Sequence, residues 1–323
     1  MSDVLRRPIP IWQAPTGSIA GPDLCIAVSN AGGLGSMGLT WTDPDRAQAA
    51  VTTVRENTNE PFMVNFALAF PPHSLMAVLD AGAPIVTFSW GQPSTLIDTV
   101  HSAGALAGVA VASAMGASIA LQDGADFLVV QGSEAGGHVQ STTPLEIVLP
   151  QVLQIAGKTP IVAAGGIASA QQIAHFLLMG AAAVMLGTRF VATNESRAHN
   201  EYKRLLVGAT ANDTVLTGCF DVGWPLAPHR VLRNSTFNTW EAYGYATGGA
   251  RPGYNDILAK TETGVSIYRY EDTAPMAGMN GDIEAMCCYA GTSVSSINSV
   301  LGAAEVVTEL WADAVTHMKP PVA

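Results

Sequence analysis

The sequence predicts an α/β fold, a (β/α)8 TIM barrel with a cap subdomain inserted in the C-terminal third. Short apolar runs alternate with helical stretches over the first 212 residues, at a spacing of roughly 20–25 residues. In addition, 48% of the residues are hydrophobic and only 13% are charged. This composition is expected when parallel strands are buried on both faces.

The predicted strands are short apolar runs, each followed by a loop that contains Gly, Pro or Asn. They cover residues 10–14, 33–37, 62–66, 85–89, 105–111, 127–130, 161–164 and 182–186. Eight such runs favour a closed barrel over a doubly wound sheet.

Helices are predicted between the strands, with recognisable signals at both ends. They cover residues 22–30, 44–57, 74–81, 93–102, 114–122, 144–156, 169–179 and 195–207. Pro44 and Pro144 fall in a first helical turn, where the missing N–H costs nothing. Gly124 and Gly180 stand where a helix C-cap favours glycine.

Residues 213–281 interrupt this alternation with a stretch rich in Gly, Pro, Asn, Thr and aromatic residues. We expect a cap and substrate subdomain over the mouth of the barrel formed by residues 1–212. A peripheral or oligomerising module is the alternative. Residues 282–323 return to a helical pattern and are expected to pack back on the barrel.

Charge and cysteine usage exclude several classes of protein. The net charge of −11, without a run of Lys or Arg, argues against nucleic acid or an anionic membrane as partner. Residues 104–121 and 159–188 are uncharged but rich in Ala, Gly and Ser, which favours strand–turn–helix units over membrane spans. The four cysteines lack CxxC or metal-ligand spacing and no signal peptide is visible, so a reduced, cytoplasmic protein without a metal is predicted.

The segment 131–138, Gln-Gly-Ser-Glu-Ala-Gly-Gly-His, is the most informative stretch of the chain. Its glycines allow the backbone to approach a ligand closely. His138 follows a strand, where catalytic groups of barrels collect, and an imidazole of ordinary pKa ~6.5 exchanges protons near neutral pH. A structural histidine is the alternative. No Ser or Asp lies at a triad-like spacing, and Glu134 either orients this loop or bonds locally at its base.

Two successive strand ends predict a phosphate site. The strand at 161–164 runs into Gly165-Gly166 and a capped helix, and the strand at 182–186 runs into Gly187-Thr188. Barrels often bind phosphate at the loops after the seventh and eighth strands. Tight turns without a ligand are the alternative. If phosphate binds, a side chain at position 166 is expected to occupy its place.

The other strand ends supply amides and hydroxyls rather than charges. Asn65, Ser89 and Gln131 are examples, and no Asp, Glu or His cluster with metal geometry accompanies them. A neutral mouth with a phosphate site suits a flat, phosphorylated cofactor such as FMN. These residues alone do not distinguish FMN from a sugar phosphate.

The chain resembles the nitronate monooxygenase family, formerly called 2-nitropropane dioxygenases. That family shares its FMN-binding barrel with flavin enoyl-thioester reductases. The Glu-Ala-Gly-Gly-His sequence at 134–138 is specific to the superfamily but does not separate the two activities. The similar segments are 10–15, 62–66, 85–93, 131–138, 163–168, 185–190, 223–234, 251–253, 281–286 and 289–291.

The resemblance implies oxidation of alkyl nitronates, and of nitroalkanes, with O₂ to carbonyl compounds and nitrite, with His138 as the catalytic base. The alternative is an NAD(P)H-dependent FMN reductase of enoyl thioesters or quinones. The expected partners are a small-molecule substrate and O₂, with a homodimer as one option. The resemblance implies FMN binding by Ala14, Pro15, Thr16, Asn65, Gln131, Gly136, Gly137, Ala164, Gly165, Gly166, Gly187 and Thr188.

Some positions depart from the family pattern. Thr16 stands where many relatives have methionine, Ala110 where some have lysine, and Ser169 where aspartate is common. Gln140 and Thr292 replace a usual glycine and a frequent glutamine. The last two lie near the expected substrate side, so the departures concern the substrate more than the flavin.

Overall fold

A computed structural model describes residues 5–318 and contains a closed eight-stranded parallel barrel. The order of strands in the barrel sheet is β1-β9-β8-β6-β5-β4-β3-β2, and β7 lies outside it. Backbone N–H···O bonds from Leu34 to Ile11 and from Gln13 to Leu34 close the barrel between β2 and β1. The predicted TIM barrel is therefore confirmed. These strands are β1 (Ile11–Gln13), β2 (Gly35–Gly38), β3 (Phe62–Ala67), β4 (Ile85–Ser89), β5 (Leu106–Val111), β6 (Phe127–Gln131), β7 (Gly137–His138), β8 (Ile161–Ala164) and β9 (Ala183–Leu186).

Within residues 5–318, seven helices surround the barrel in chain order between its strands, and the last position of the ring is filled by the helix at residues 303–318. The helices are α1 (Pro22–Asn30), α2 (Pro44–Asn57), α3 (Leu75–Asp80), α4 (Thr95–Ser102), α5 (Ala114–Gln122), α6 (Leu145–Ile155), α7 (Ala170–Leu178), α8 (Thr188–Val191), α9 (Asn200–Val207), α10 (Ser235–Ala242) and α11 (Ala303–Met318). Helix α11 packs against both α7 and α1 and so completes the ring.

The eighth barrel helix is thus not the one expected at 195–207. That segment forms the shorter α9, whose Tyr202 and Leu206 pack with Ile283 and Met286 in a separate apolar cluster. Helix α11 instead contributes its apolar face to the main core. Before it, residues 282–302 contain a 3-10 helix at Thr292–Ser296 rather than the predicted α-helical pattern.

The helix starts follow the capping signals in the sequence. The Asp43 side chain accepts the N–H of Arg46 at 3.0 Å, directly before Pro44. Ser169 forms a reciprocal capping box with Gln172 at the start of α7. Such caps satisfy backbone donors that the first turn leaves unpaired. They also fix where each helix leaves its strand, and thereby the shape of each loop at the barrel mouth.

Side chains of the strands alternate between two apolar layers, as the period of two requires. One layer fills the barrel interior and includes Trp12, Met63 and Phe127, while the other packs under the helices. The rings of Trp12 and Phe127 meet edge to face at 5.3 Å. A Cβ on Gly108 would lie 2.2 Å from the Phe127 ring, so the glycine in β5 makes room for this phenylalanine.

The segment predicted as the cap contributes to two three-stranded sheets outside the barrel, and one of them is continuous with a barrel loop. Strands β10 (Thr214–Thr217) and β11 (His229–Leu232) pair antiparallel with β7, in the order β10-β11-β7. The second sheet consists of β12 (Ile257–Lys260), β13 (Ser266–Tyr268) and β14 (Asn280–Gly281). Because β7 lies in the loop after β6, the cap holds that loop directly.

Two further findings concern membrane-spanning helices and the cysteines. Between residues 5 and 318, no helix is both long enough and apolar enough to cross a membrane. The four cysteines are free and buried.

Candidate active site

One cavity brings together His138 and the residues that the sequence resemblance implies in FMN binding. It has a volume of about 630 Å³, lies at the carboxyl ends of the barrel strands, and is partly covered by the cap. His138 and all twelve residues implied in FMN binding line it. Its floor is formed by barrel side chains such as Met63, Ala110 and Met185. The size is within the ordinary range of small-molecule sites, about 300–1,000 Å³.

One end of the cavity is lined by backbone donors from the turns after β8 and β9. Gly165 and Gly166 have φ values of +108° and +70°, which favour glycine. Among residues 5–318, the backbone N–H groups of Gly165, Gly166 and Gly187 have no hydrogen-bond acceptor. Thr188 Oγ1 accepts the N–H of Gly291 at 3.0 Å and keeps its own proton available. Unpaired donors that converge in this way suit an anion.

The two turns differ in where an added side chain would go. A Cβ on Gly187 would meet Ala14 and Thr16 at 3.7 Å, inside the cavity. A Cβ on Gly166 would lie 2.7 Å from Glu134 Cβ and 3.2 Å from Thr292 Oγ1, neither of which lines the cavity. The expectation that a side chain at position 166 fills the place of a phosphate is therefore wrong, because that position faces the loop behind the turn.

The loop 131–138 is held by its own polar side chains. The Glu134 carboxylate accepts the N–H of Leu145 at 3.1 Å at the start of α6, so it bonds locally at the base of the loop. Gln131 Oε1 accepts the N–H of Gln140 at 2.8 Å, and its Nε2 donates to the His138 carbonyl at 3.4 Å. Gln131 therefore fixes both sides of His138.

The cap and the C-terminal segment also fix the backbone around His138. His138 lies opposite His229, and Gly137 lies opposite Arg230, in the pairing of β7 with β11. Arg230 Nη2 donates to the Ser133 carbonyl at 2.9 Å. A Cβ on Gly136 would lie 2.4 Å from the N atom of Gly291, so a close approach of two backbones requires this glycine.

The His138 side chain lies among groups from distant segments. Its Nε2 is 3.2 Å from Tyr289 Oη and 3.9 Å from Asp272 Oδ2. Tyr289 Oη donates to the Asp272 carbonyl at 2.8 Å, and the Trp224 ring lies 4.2 Å from the imidazole. Nδ1 is buried without a partner among residues 5–318. The imidazole therefore has Tyr289 and Asp272 beside one ring nitrogen and, among the described residues, no partner at the other.

Burial shifts both titratable groups of this cluster. It lowers the pKa of His138 to about 3, assisted by the nearby His229, and the imidazole is neutral at pH 7. Burial also raises the pKa of Asp272 to about 6, so its carboxylate is mostly ionised at pH 7. A neutral imidazole beside a carboxylate can accept a proton, and the carboxylate stabilises the cation that results.

Tyr202, Trp224, Asp272 and Tyr289 are among the cavity residues that were not identified as functional from the sequence. Trp224 and Tyr289 fall within segments that carried the family resemblance. Asp272 had no such signal, because a lone acid in a loop is not distinctive. Its position beside His138 arises only from the folding of the cap.

A closed barrel with unpaired backbone donors at its last two strand ends, and a buried neutral histidine in the same cavity, is suited to a flavin-dependent oxidoreductase. The sequence matches the family described as nitronate monooxygenase over residues 1–74 and 71–313. The chain belongs to this family, as the resemblance implied. It is an FMN-dependent oxidoreductase of the nitronate monooxygenase type.

Individual relatives extend the comparison. The chain is 29% identical to (3aS,4S,5R,7aS)-5-hydroxy-7a-methyl-1-oxo-octahydro-1H-indene-4-carboxyl-CoA dehydrogenase of Mycobacterium tuberculosis, over 96% of this chain and 94% of the relative. The structure of FabK from Thermotoga maritima superposes with a TM-score of 0.83 at 28% identity, covering 98% and 95%. Nitroalkane oxidase from Streptomyces ansochromogenes gives a TM-score of 0.78 at 29% identity, covering 97% and 98%.

Proposed function

We propose that this protein is a nitronate monooxygenase that oxidises alkyl nitronates, and neutral nitroalkanes, with O₂ to carbonyl compounds and nitrite. The observation that carries the proposal is the shared cavity, in which a neutral His138 lies with the unpaired donors of the two glycine turns. The family match and the similarity to a nitroalkane oxidase support it.

The cavity residues fit FMN. No lysine or arginine is among the described residues that line the cavity. The N–H groups of Gly165, Gly166 and Gly187, with the Thr188 hydroxyl, would therefore be the donors for its phosphate. Bound FMN would supply the electron-transfer chemistry between the substrate and O₂. The other contacts come from Ala14, Pro15, Thr16, Asn65, Gln131, Gly136, Gly137 and Ala164, all of which line the cavity.

His138 has two tasks in this proposal, both carried out by its neutral imidazole. With a neutral nitroalkane, the imidazole takes the proton from the carbon next to the nitro group, and the Asp272 carboxylate stabilises the imidazolium. With a preformed nitronate, the same ring positions the substrate. Tyr289 holds the Asp272 backbone through its hydroxyl and so acts as a positioning residue. The rings of Trp90 and Trp224 lie beside the imidazole, at 6.0 Å and 4.2 Å.

The test is a spectrum of the purified protein, followed by nitrite release from ethyl nitronate under air. Flavin absorbance and nitrite release are the expected results. Anaerobic addition of NADH or NADPH should leave the flavin oxidised. Rapid bleaching by a nicotinamide without nitrite release would overturn the proposal and favour a reductase of enoyl thioesters or quinones.

A second candidate is oxidation of an acyl-CoA thioester. The similarity to the indene-carboxyl-CoA dehydrogenase of Mycobacterium tuberculosis over 96% of this chain favours it. The α-proton of a thioester is also acidic, so it is within reach of the same base chemistry of the His138 imidazole. Flavin bleaching by acyl-CoA but not by a nitronate would select this activity.

Several broader expectations remain proposals. They are the division into a barrel at 1–212, a cap at 213–281 and a C-terminal part at 282–323, together with a homodimer and a cytoplasmic location.

A further inference from the structure

Four aromatic side chains form a continuous wall between the surface and His138; we call Trp41, Phe70, Trp90 and Trp224 the aromatic corridor. All four line the cavity. The Trp224 ring is their common centre, at 5.9 Å from Trp41, 5.0 Å from Phe70 and 4.9 Å from Trp90. Trp224 is 7% exposed, whereas Trp41 is 58% exposed at the outer end. The wall thus leads from solvent to the imidazole.

The corridor is assembled from separate elements. Trp41 follows β2, Phe70 follows β3, Trp90 ends the β4 unit, and Trp224 comes from the cap. Trp90 has a φ of +58°, a conformation that a bulky residue seldom adopts. Such strain persists where the surrounding structure fixes a side chain in place, often at functional sites. The contacts between these rings are edge to face, which leaves ring faces and edges available to a flat guest.

The described residues that line the cavity include a carboxylate but no lysine or arginine. Lysine and arginine are absent from the cavity-lining residues within 5–318, and Asp272 is the carboxylate that faces His138. A substrate that carries a second anionic group would find no cation here. It would also approach a carboxylate at low dielectric, which is unfavourable.

We propose that this cavity selects nitronates and nitroalkanes with a flat apolar substituent, such as a phenyl ring, and discriminates against those with a second anionic group. This inference rests on the proposed function and names the substrate class of the same site. The reacting carbon lies at His138, and the substituent lies along the aromatic corridor.

The test compares kcat/KM of the flavin-containing enzyme for three nitronates, those of (2-nitroethyl)benzene, nitroethane and 3-nitropropionate. We expect the phenyl compound to be preferred and the carboxylate compound to be the poorest. Trp41→Ala should lower the phenyl-to-ethyl ratio about threefold to tenfold, as expected for the loss of one aromatic contact. Leu178→Ala, which removes an exposed side chain at the far end of α7, should leave the ratio unchanged. A phenyl-to-ethyl ratio of one, or a preference for 3-nitropropionate, would overturn the inference.

If no nitronate releases nitrite, the proposed function is overturned, and kcat/KM can no longer test the aromatic corridor. A binding measurement then tests the corridor separately. Nitrobenzene and 2-methyl-2-nitropropane lack the proton that a base could remove, so they act as pure ligands. Titration by flavin difference absorbance should show tighter binding of nitrobenzene, and Trp41→Ala should weaken it about threefold to tenfold. Equal binding of both compounds would exclude the aromatic corridor as a selective feature.

Discussion

The two ends of the cavity differ in the groups that line them: backbone N–H groups at one end and side chains at the other. At the end formed by residues 165–166 and 187–188, two consecutive strand–turn units line the cavity with backbone N–H groups that have no partner among the described residues. At the other end, His138, Asp272 and Tyr289 meet through their side chains, and these residues lie far apart in the sequence. Backbone donors survive most substitutions, whereas a side-chain cluster changes with each one. The first end therefore suits a constant cofactor and the second a variable substrate.

The largest effect is expected at the backbone end. Gly187→Asp places a side chain and a negative charge beside Ala14 and Thr16, inside the cavity. We expect loss of bound FMN, because the carboxylate competes with the phosphate for the same donors. The flavin-to-protein ratio after purification measures this. Gly208→Asp is the matched control, since no atom lies within 4 Å of its Cβ. A full complement of flavin in Gly187→Asp would mean that the phosphate lies elsewhere.

The next largest effect is expected from His138→Asn. The variant should retain FMN but lose about 10²–10⁴ in kcat/KM on neutral nitroalkanes, the usual contribution of a general base. The loss on preformed nitronates should be much smaller, because their proton is already gone. His101→Asn, at an exposed histidine in α4, is the control. An equal loss on both substrate types would contradict the base role.

A smaller loss of activity is expected from Asp272→Asn. The pH dependence of kcat/KM shows whether the ionised carboxylate is the active form. Burial raises the pKa of Asp272 to about 6, so its carboxylate protonates as the pH falls through 6. In the wild type, kcat/KM on nitroethane should therefore fall below pH 6. In the variant this limb should disappear, with a rate about tenfold lower at pH 8. Asp98→Asn on α4 is the control. Persistence of the limb near pH 6 in Asp272→Asn would assign it to another group.

Asp272→Asn should lower the activity but raise the thermal stability of the protein. A raised folded-state pKa means that the unfolded chain releases its proton first, so stability is lost as the pH rises through 6. Removing the buried carboxylate should therefore raise the unfolding temperature more at pH 8 than at pH 4. Thermal unfolding at the two pH values measures this, and a gain that is equal at both would contradict the assigned burial effect.

The smallest effect is expected from Gly166→Ala, and it separates the two turns. The φ of +70° and the crowding against Glu134 should lower the free energy of unfolding by about 1–3 kcal/mol. Because this Cβ faces away from the cavity, bound flavin should be retained. Denaturant unfolding and the flavin-to-protein ratio measure the two outcomes. Unchanged stability with loss of flavin would reverse the geometry described for position 166.

The contrast between the backbone turns and the side-chain cluster also explains which features could be predicted from the sequence. The barrel strands and the glycine turns are local patterns, and the strands at 62–66 and 161–164 lie within or at the observed bounds of β3 and β8. Gly166 was predicted in a phosphate-binding turn and lines the cavity, but its Cβ would face Glu134 from the neighbouring loop, which no local pattern could indicate. The eighth helix position was missed because α9 and α11 are both amphipathic, and only tertiary packing chooses between them.

The side-chain cluster at the substrate end of the cavity could not be predicted from local sequence patterns. Asp272 reaches His138 because the cap folds over the mouth, and Trp224 joins Trp41 and Phe70 by the same folding. None of these pairs has a spacing that a periodicity could reveal. His138 itself was recognisable because it ends a glycine-rich loop directly after a buried strand.

A crystal structure of the FMN-bound enzyme tests the central claim most directly. The account predicts that the phosphate accepts the N–H groups of Gly165, Gly166 and Gly187, and that the His138 imidazole faces the flavin ring in the same cavity. A phosphate bound away from these turns, or an imidazole without access to the ring, would contradict it.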